Sequence, residues 1–457
     1  MTLLDGLLIF LALIVLYGLA VYVLHKKGIL KKYNISLYGP ALMWRTQRGI
    51  KFLKKRARHI RLWCNLGNAS IVFCFLAMAI MTSVLIWSAI IISGFTPIQR
   101  QALPGPEFAL ALPGINPILP LEYIGYILIG IIIAIVVHEF SHGILTLVSK
   151  LKVKSLGLLY LIVPIGAFCE PDEENLTKAP IKSRMRIYSV GPASNFAITI
   201  LSLLIFSFLL MSAVQPAHTG AVVLQTENDS PAQILGLKAG NFITSLNGSS
   251  ITNSSDFLYA VNKIKASQKI SISFIKDGLS HNSSIILGDK FVEYAKRNYQ
   301  NNESFKGMGY IGIRIAPDFL KILKNPFLEF PWGALSFYAI PIYGYYLNYN
   351  PLIAPFSNTF TIVGPLSVIP QNIFWILANS LYWIFWLNLA FALFNVLPMI
   401  PLDGGFIFID GVRSLIQRMK QDISEEKRDA IAKNVSLAIS LIILFVLIIP
   451  FFIKYIP

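Results

Sequence analysis

One stretch limits what this chain can become. Residues 131–143 read IIIAIVVHEFSHG, so two histidines and a glutamate sit inside an apolar run. At the centre of a membrane helix a charge costs about 2.5–3.5 kcal/mol, so such a cluster needs a compensating partner. The spacing supplies one. Positions four apart share a helix face, so His138 and His142 can hold one metal ion between them. Glu139 lies beside them, placed to take a proton from an attacking water. The competing reading is a pair of structural histidines that hydrogen-bond between helices.

The rest of the chain has the character of a polytopic α-helical membrane protein. Of its 457 residues, 55% are hydrophobic and 14% charged, where soluble domains carry about 25% charged residues. Runs of about 20 apolar residues cross a bilayer. Spans are expected at 3–24, 67–94, 121–148, 187–213, 372–396 and 434–454, about six in all. The first run lacks a basic leader and a small-residue cleavage site, so it reads as a retained span. A net charge of +16 implies basic loops on the cytoplasmic side. No basic patch interleaved with aromatics points to nucleic acid. Arg45, Arg48, Lys51, Lys54, Lys55, Arg56, Arg58 and Arg61 place the first loop inside and the N-terminus outside. Within that loop, GIKFLKKRARHIRLW reads either as a basic helix on anionic lipid or as a solvated loop. Cys64, Cys74 and Cys169 form neither a disulfide framework nor a C-x-x-C pair.

Composition divides the chain further. Residues 1–120 hold the N-terminal spans, the basic loop and a proline-rich external loop. Residues 121–213 hold the histidine run and a segment, 156–170, too short to span and read as an extended hairpin or edge strand. From 214 to 318 the chain is polar, with short alternating runs and turn signals at Asn247-Gly248 and Asp277-Gly278. A small β-rich extracytoplasmic domain is expected there. Residues 319–370 are rich in aromatics and prolines and read as interfacial or re-entrant. Residues 371–411 are a span ending in NVLPMIPLDGG, and 412–457 an amphipathic cytoplasmic segment with a terminal span.

A catalytic zinc site needs a third protein ligand and an open position. The candidate is Asp403, in a helix break that frees backbone groups to line a cavity. Its alternative is a helix-capping aspartate. Asp410 and Asp172 are weaker rivals, since both flank basic segments and read as solvent-facing. Asn395 and Asn388 lie on one face of a helix, and an amide there can stabilise an oxyanion. Interhelical hydrogen bonding is the preferred reading for Asn388. In Gly191-Pro-Ala-Ser-Asn195, small residues allow a close approach to the histidine helix, and Asn195 either hydrogen-bonds there or only packs.

Three motifs together carry a resemblance. H-E-F-S-H-G, G-P-A-S-N-F and N-V-L-P-M-I-P-L-D-G-G, spread from residue 138 to 405, resemble the site-2 protease family of intramembrane zinc metalloproteases. The resemblance implies one catalytic Zn2+ on His138, His142 and Asp403, with Glu139 as base and Asn395 as a polar residue near the site. It also implies that VPIGAFCEPDEE (163–174) presents substrate as an added strand. The expected substrate is a single-pass membrane protein already cut on its outer side. DSPAQILGLKAGNFITSLNGSSI (229–251) resembles PDZ domains, departing at Gly236 and Asn241. Gly309, Tyr310, Ile311 and Gly312 resemble the loop with which such domains accept a peptide C-terminus. An occluded groove that serves only as a size filter is the alternative. The sequons at Asn228, Asn247, Asn253, Asn282 and Asn302 allow glycosylation. The expected protein is multi-pass in the cell membrane, with the site toward the cytoplasm and the PDZ-like domain outside. Two rivals are a metal transporter, which would show paired broken helices in repeated halves, and a membrane-binding protein with a dead site, which would lack Glu139.

Overall fold

The computed structural model describes residues 3–39, 41–110, 112–161, 163–419 and 423–455. Among them, five helical stretches are long and apolar enough to cross a bilayer: Ile60–Ser93, Leu121–Val148, Ile181–Ala213, Gln371–Asn395 and Glu425–Tyr455. Ahead of them the chain is helical over Leu3–Lys26. Three of these stretches, from Ile60, Ile181 and Glu425, start six or more residues before their apolar runs. A helix continues past the hydrocarbon layer wherever caps and solvated charges support it. The last helix shows this: the Ser424 side chain accepts from Lys427 N–H, and Glu425 and Glu426 fill the first turn, where carboxylates favour the helix dipole.

The chain forms two compact units, one of residues 1–116, 122–200 and 383–457, the other of 117–121 and 201–382. The first unit holds the histidine helix (Ile124–Val148) and a four-stranded antiparallel sheet. Its strands are β1 (Ile35–Tyr38), β2 (Ala41–Thr46), β3 (Val153–Leu161) and β4 (Val163–Pro171), in that order across the sheet. The hairpin β1–β2 was not expected inside the basic loop. It pairs with β3, Trp44 facing Leu158, so the basic loop is folded, not merely solvated. The basic segment breaks into a helix over Ile50–Arg56 and the start of the helix at Ile60. Leu53 of the short helix is fully buried, in one cluster with Ile144, Leu145 and Val148 of the histidine helix and Leu156 and Cys169 of the sheet.

Small residues set the helix spacing. A Cβ on Gly130 would lie 2.6 Å from Leu387 Cδ1 and 2.8 Å from the Trp383 carbonyl, so the histidine helix touches backbone there. In Pro401-Leu-Asp-Gly-Gly405 the helix Asp403–Met419 begins at Asp403. A Cβ on Gly405 would meet the Met399 carbonyl at 2.7 Å, and one on Gly404 would overlap the Val396 and Leu397 carbonyls. The two glycines therefore let the preceding turn fold over the helix start.

The second unit holds the β-rich segment. Strands β5 (Ala221–Thr226), β6 (Phe242–Leu246), β7 (Lys269–Lys276), β8 (Leu279–Ile286) and β9 (Ile313–Ile315) lie in the order β8-β7-β6-β5-β9, all antiparallel. Ile270, Ile272 and Phe274 alternate inward along β7 onto Ile243, Leu246 and Ile285, as a half-buried strand requires. Asp277 and Gly278 join β7 to β8 with φ of 52° and 77°, the two positive values of a tight hairpin turn. The segment 319–370 contributes short helices, including Trp332–Tyr338 and Ile340–Leu347, each too short to cross a bilayer.

The close approach at Gly130 gives a prediction. Gly130→Ala lowers the thermal unfolding midpoint of the purified protein, reflecting an overpacking cost of about 1–3 kcal/mol. Gly125→Ala, with nothing within 4 Å of the added Cβ, leaves it unchanged. Equal midpoints for the two variants would refute the contact.

Candidate metal centre

His138 and His142 project from one face of the histidine helix, their rings edge to face with centroids 4.7 Å apart. Asp403 enters from the first turn of its own helix. Its Oδ2 lies 3.0 Å from His138 Nε2 and 3.2 Å from His142 Nε2. Among the described residues, these three form a group whose ligand atoms all lie within 4.8 Å of one another.

The hydrogen bonds around the rings decide what the group can hold. His142 Nδ1–H donates to the Ile187 carbonyl at 2.6 Å. That bond keeps the proton on Nδ1, so the neutral ring presents its Nε2 lone pair to Asp403. A lone pair against a carboxylate oxygen is repulsive unless a cation stands between them. His138 Nδ1 and Asp403 Oδ2 are buried without a hydrogen-bond partner. Two imidazoles and one carboxylate match the protein donor set of a catalytic divalent metal. Gly191 makes the space. A Cβ there would fall on His142 Nε2 and lie 2.9 Å from His138 Cε1.

Glu139 is half-buried, and its Oε2 accepts the Cys169 N–H at 2.8 Å. The carboxylate next to the histidines is thus tied to β4, an edge strand of its sheet. Burial, with the Glu139 charge, pushes the Cys169 thiol up to about 12. On the same strand, the Ser155 hydroxyl and Arg45 hold the Glu170 carboxyl below its usual range.

Other expected residues sit differently. The Asn395 amide donates to Phe391 O in its own helix at 2.9 Å, and the Phe391 ring stands edge-on to His138 with centroids 5.2 Å apart. Asn388 likewise donates to Ile384 O at 2.8 Å. Asn195 is fully buried, and its Nδ2 has no hydrogen-bond partner. In the β-rich unit, Gly309, Tyr310, Ile311 and Gly312 are all buried. Ile311 belongs to the core, and the carbonyls of Ile311 and Gly312 accept from Ala232 and Glu227. Asp172 pairs with Lys154 at 3.2 Å. The solvent-facing reading of Asp410 is corrected: it is 1% exposed. Arg184 bonds it through two nitrogens, at 3.0 and 2.6 Å, and Arg413 through a third at 2.9 Å. Paired guanidinium groups remove the penalty that would keep a lone carboxylate in water.

Sequence reasoning missed the Ile187 carbonyl and the Cys169 N–H, because backbone groups carry no residue signature. It also missed Arg184, which stands among the basic residues Lys178, Lys182 and Arg186.

Known proteins give the site a context. The description "Peptidase family M50" matches residues 126–443. An uncharacterised protein of Methanocaldococcus jannaschii is 26% identical over 86% of this chain and 83% of its own length. A putative zinc metalloprotease of Clostridium perfringens is 27% identical over 67% of this chain and 88% of its own. Among solved structures, the PDZ domain of the SdrC-like protein of Listeria monocytogenes aligns at 21% identity, covering 23% of this chain and 97% of that domain, with a TM-score of 0.18.

Gly191→Ala tests the metal pocket. The added methyl occupies the space in front of both imidazoles. The purified variant is expected to retain helical circular dichroism and lose most of its bound metal by elemental analysis. Wild-type metal content in that variant would show that the imidazoles do not face Gly191.

Proposed function

The chain belongs to peptidase family M50, and we propose that it is a membrane zinc endopeptidase that cuts transmembrane segments of other membrane proteins. The convergence of His138, His142 and Asp403 beside Glu139 carries this reading. The two Nε2 atoms and the Asp403 carboxylate would hold the zinc. Zinc, when bound, acts as a Lewis acid toward the scissile carbonyl and the attacking water. Glu139 takes the proton of that water and returns it to the leaving amine. Its bond from Cys169 N–H leaves the other carboxylate oxygen for this task. The Asn395 amide, once turned from Phe391 O, is the donor for the oxyanion.

Substrate must be extended, because a helix's own hydrogen bonds shield its carbonyls. β4 lies at the edge of its sheet, where such a strand can add, and its link to Glu139 puts that strand beside the base. Charge supports the orientation with the site toward the cytoplasm. No Asp or Glu occurs between Asp5 and Glu107, a stretch holding Lys51, Lys54, Lys55 and Arg58, as a cytoplasmic loop requires. The β-rich unit then lies outside and serves as a PDZ-like domain. It accepts the new C-terminus of a single-pass substrate already cut on the outer side.

Glu139→Gln is expected to keep zinc and lower cleavage of a reconstituted transmembrane substrate about 100-fold or more. Asp403→Ala is expected to lose both metal and cleavage. Full cleavage by Glu139→Gln would exclude the mechanism. For the outer domain, a peptide with a free carboxylate is expected to bind the intact protein more tightly than its C-terminal amide. Equal binding of the two would favour the size-filter role.

A further inference from the structure

The helix Ile181–Leu204 and the helix Asp403–Met419 meet along one seam, and its contacts keep a common register. At one level Arg184 forks onto Asp410, with nitrogens 3.0 and 2.6 Å from the two carboxylate oxygens. Four residues on in the first helix and four back in the second, Tyr188 stacks on Phe406, centroids 5.1 Å apart and planes 22° apart. Three residues further each way stand Gly191, against both imidazoles, and Asp403, on both Nε2 atoms. Steps of four and three are the successive positions of one helix face, so the three levels belong to one antiparallel contact line.

We propose that Arg184 and Asp410 are positioning residues that set the axial register of Asp403 on the metal pocket, an inference resting on the zinc reading above. The pair is suited to that role. Arg184 is 9% and Asp410 1% exposed. The planar guanidinium fixes direction as well as distance. Its Nη1 also donates to the Thr177 and Ala179 carbonyls at 2.7 and 3.1 Å, which anchors it to the turn before its own helix. Arg413 donates to Asp410 at 2.9 Å and reaches Asp429 on the terminal helix. A slip of one turn would carry Asp403 about 5.4 Å along its axis, out of reach of the imidazoles. It would also strand a buried carboxylate. The same Arg184 helix supplies the Ile187 carbonyl that orients His142, so one helix, held at one end by an ion pair, aligns two of the three ligands.

The test uses charge-conserving variants of the full chain. Arg184→Lys loses the fork and Asp410→Glu lengthens the acid, while both keep a buried pair. Each is expected to weaken zinc affinity about tenfold, the lower range for residues that orient metal ligands. Each should also shift the visible bands of the cobalt-substituted protein. Arg186→Lys, on the same helix but bonded to Asn68 at 2.9 Å, should do neither. Should a single variant misfold, the neutral pair R184Q/D410N leaves no buried charge unmatched and carries the same expectation. Wild-type affinity and spectrum in a folded variant overturn the proposal, as does an equal effect of Arg186→Lys. Neither readout needs cleavage, so a protein that binds zinc without proteolysis overturns the proteolytic reading alone.

Discussion

Two imidazole Nε2 atoms and a carboxylate oxygen are turned toward one point inside an apolar helix bundle. With neutral rings and no metal ion that arrangement is repulsive, and in a low-dielectric setting the repulsion is poorly screened. The surrounding structure is shaped to hold it. Ile187 fixes the tautomer of His142, Gly191 leaves the pocket open, and Gly404 with Gly405 lets Asp403 enter at the start of its helix. Each is a small or backbone feature, since a larger side chain would fill the space the metal requires.

The helices that carry these groups are organised by close approach more than by apolar area. Lipid tails are as apolar as leucine, so spans associate through small residues and polar contacts. Gly130 against the Trp383 backbone is one such contact, and the Arg184–Asp410 pair is another. The outward faces follow the opposite rule. Val72, Leu76, Ile80, Val84 and Trp87 are exposed along one side of Ile60–Ser93, while Ser70, Cys74 and Met78 are buried on the other.

The β-rich unit is built on a different principle. It has an ordinary alternating core, with Ile243, Ile270 and Ile272 almost fully buried. Its strands are joined by turns whose Asn-Gly and Asp-Gly pairs take positive φ. Its stability comes from burying apolar surface away from water, a force absent between the membrane helices. One chain therefore mixes two folding solvents, and the composition shift near residue 214 marks the change.

The sequence by itself determined the local features. The four-residue spacing of His138 and His142, the helix break at Pro-Leu-Asp-Gly-Gly and the Asp-Gly hairpin are each set within a few residues. Local geometry suffices to read them. Tertiary structure decided what depends on distant partners. Asp410 looks solvent-facing until Arg184, 226 residues away, is beside it. The β1–β2 hairpin looks like a basic loop until β3 supplies its pairing. The His142 partner is a carbonyl that every residue possesses. Helical period and turn chemistry are short-range, whereas register, burial of charge and backbone hydrogen bonding exist only once the chain has closed on itself.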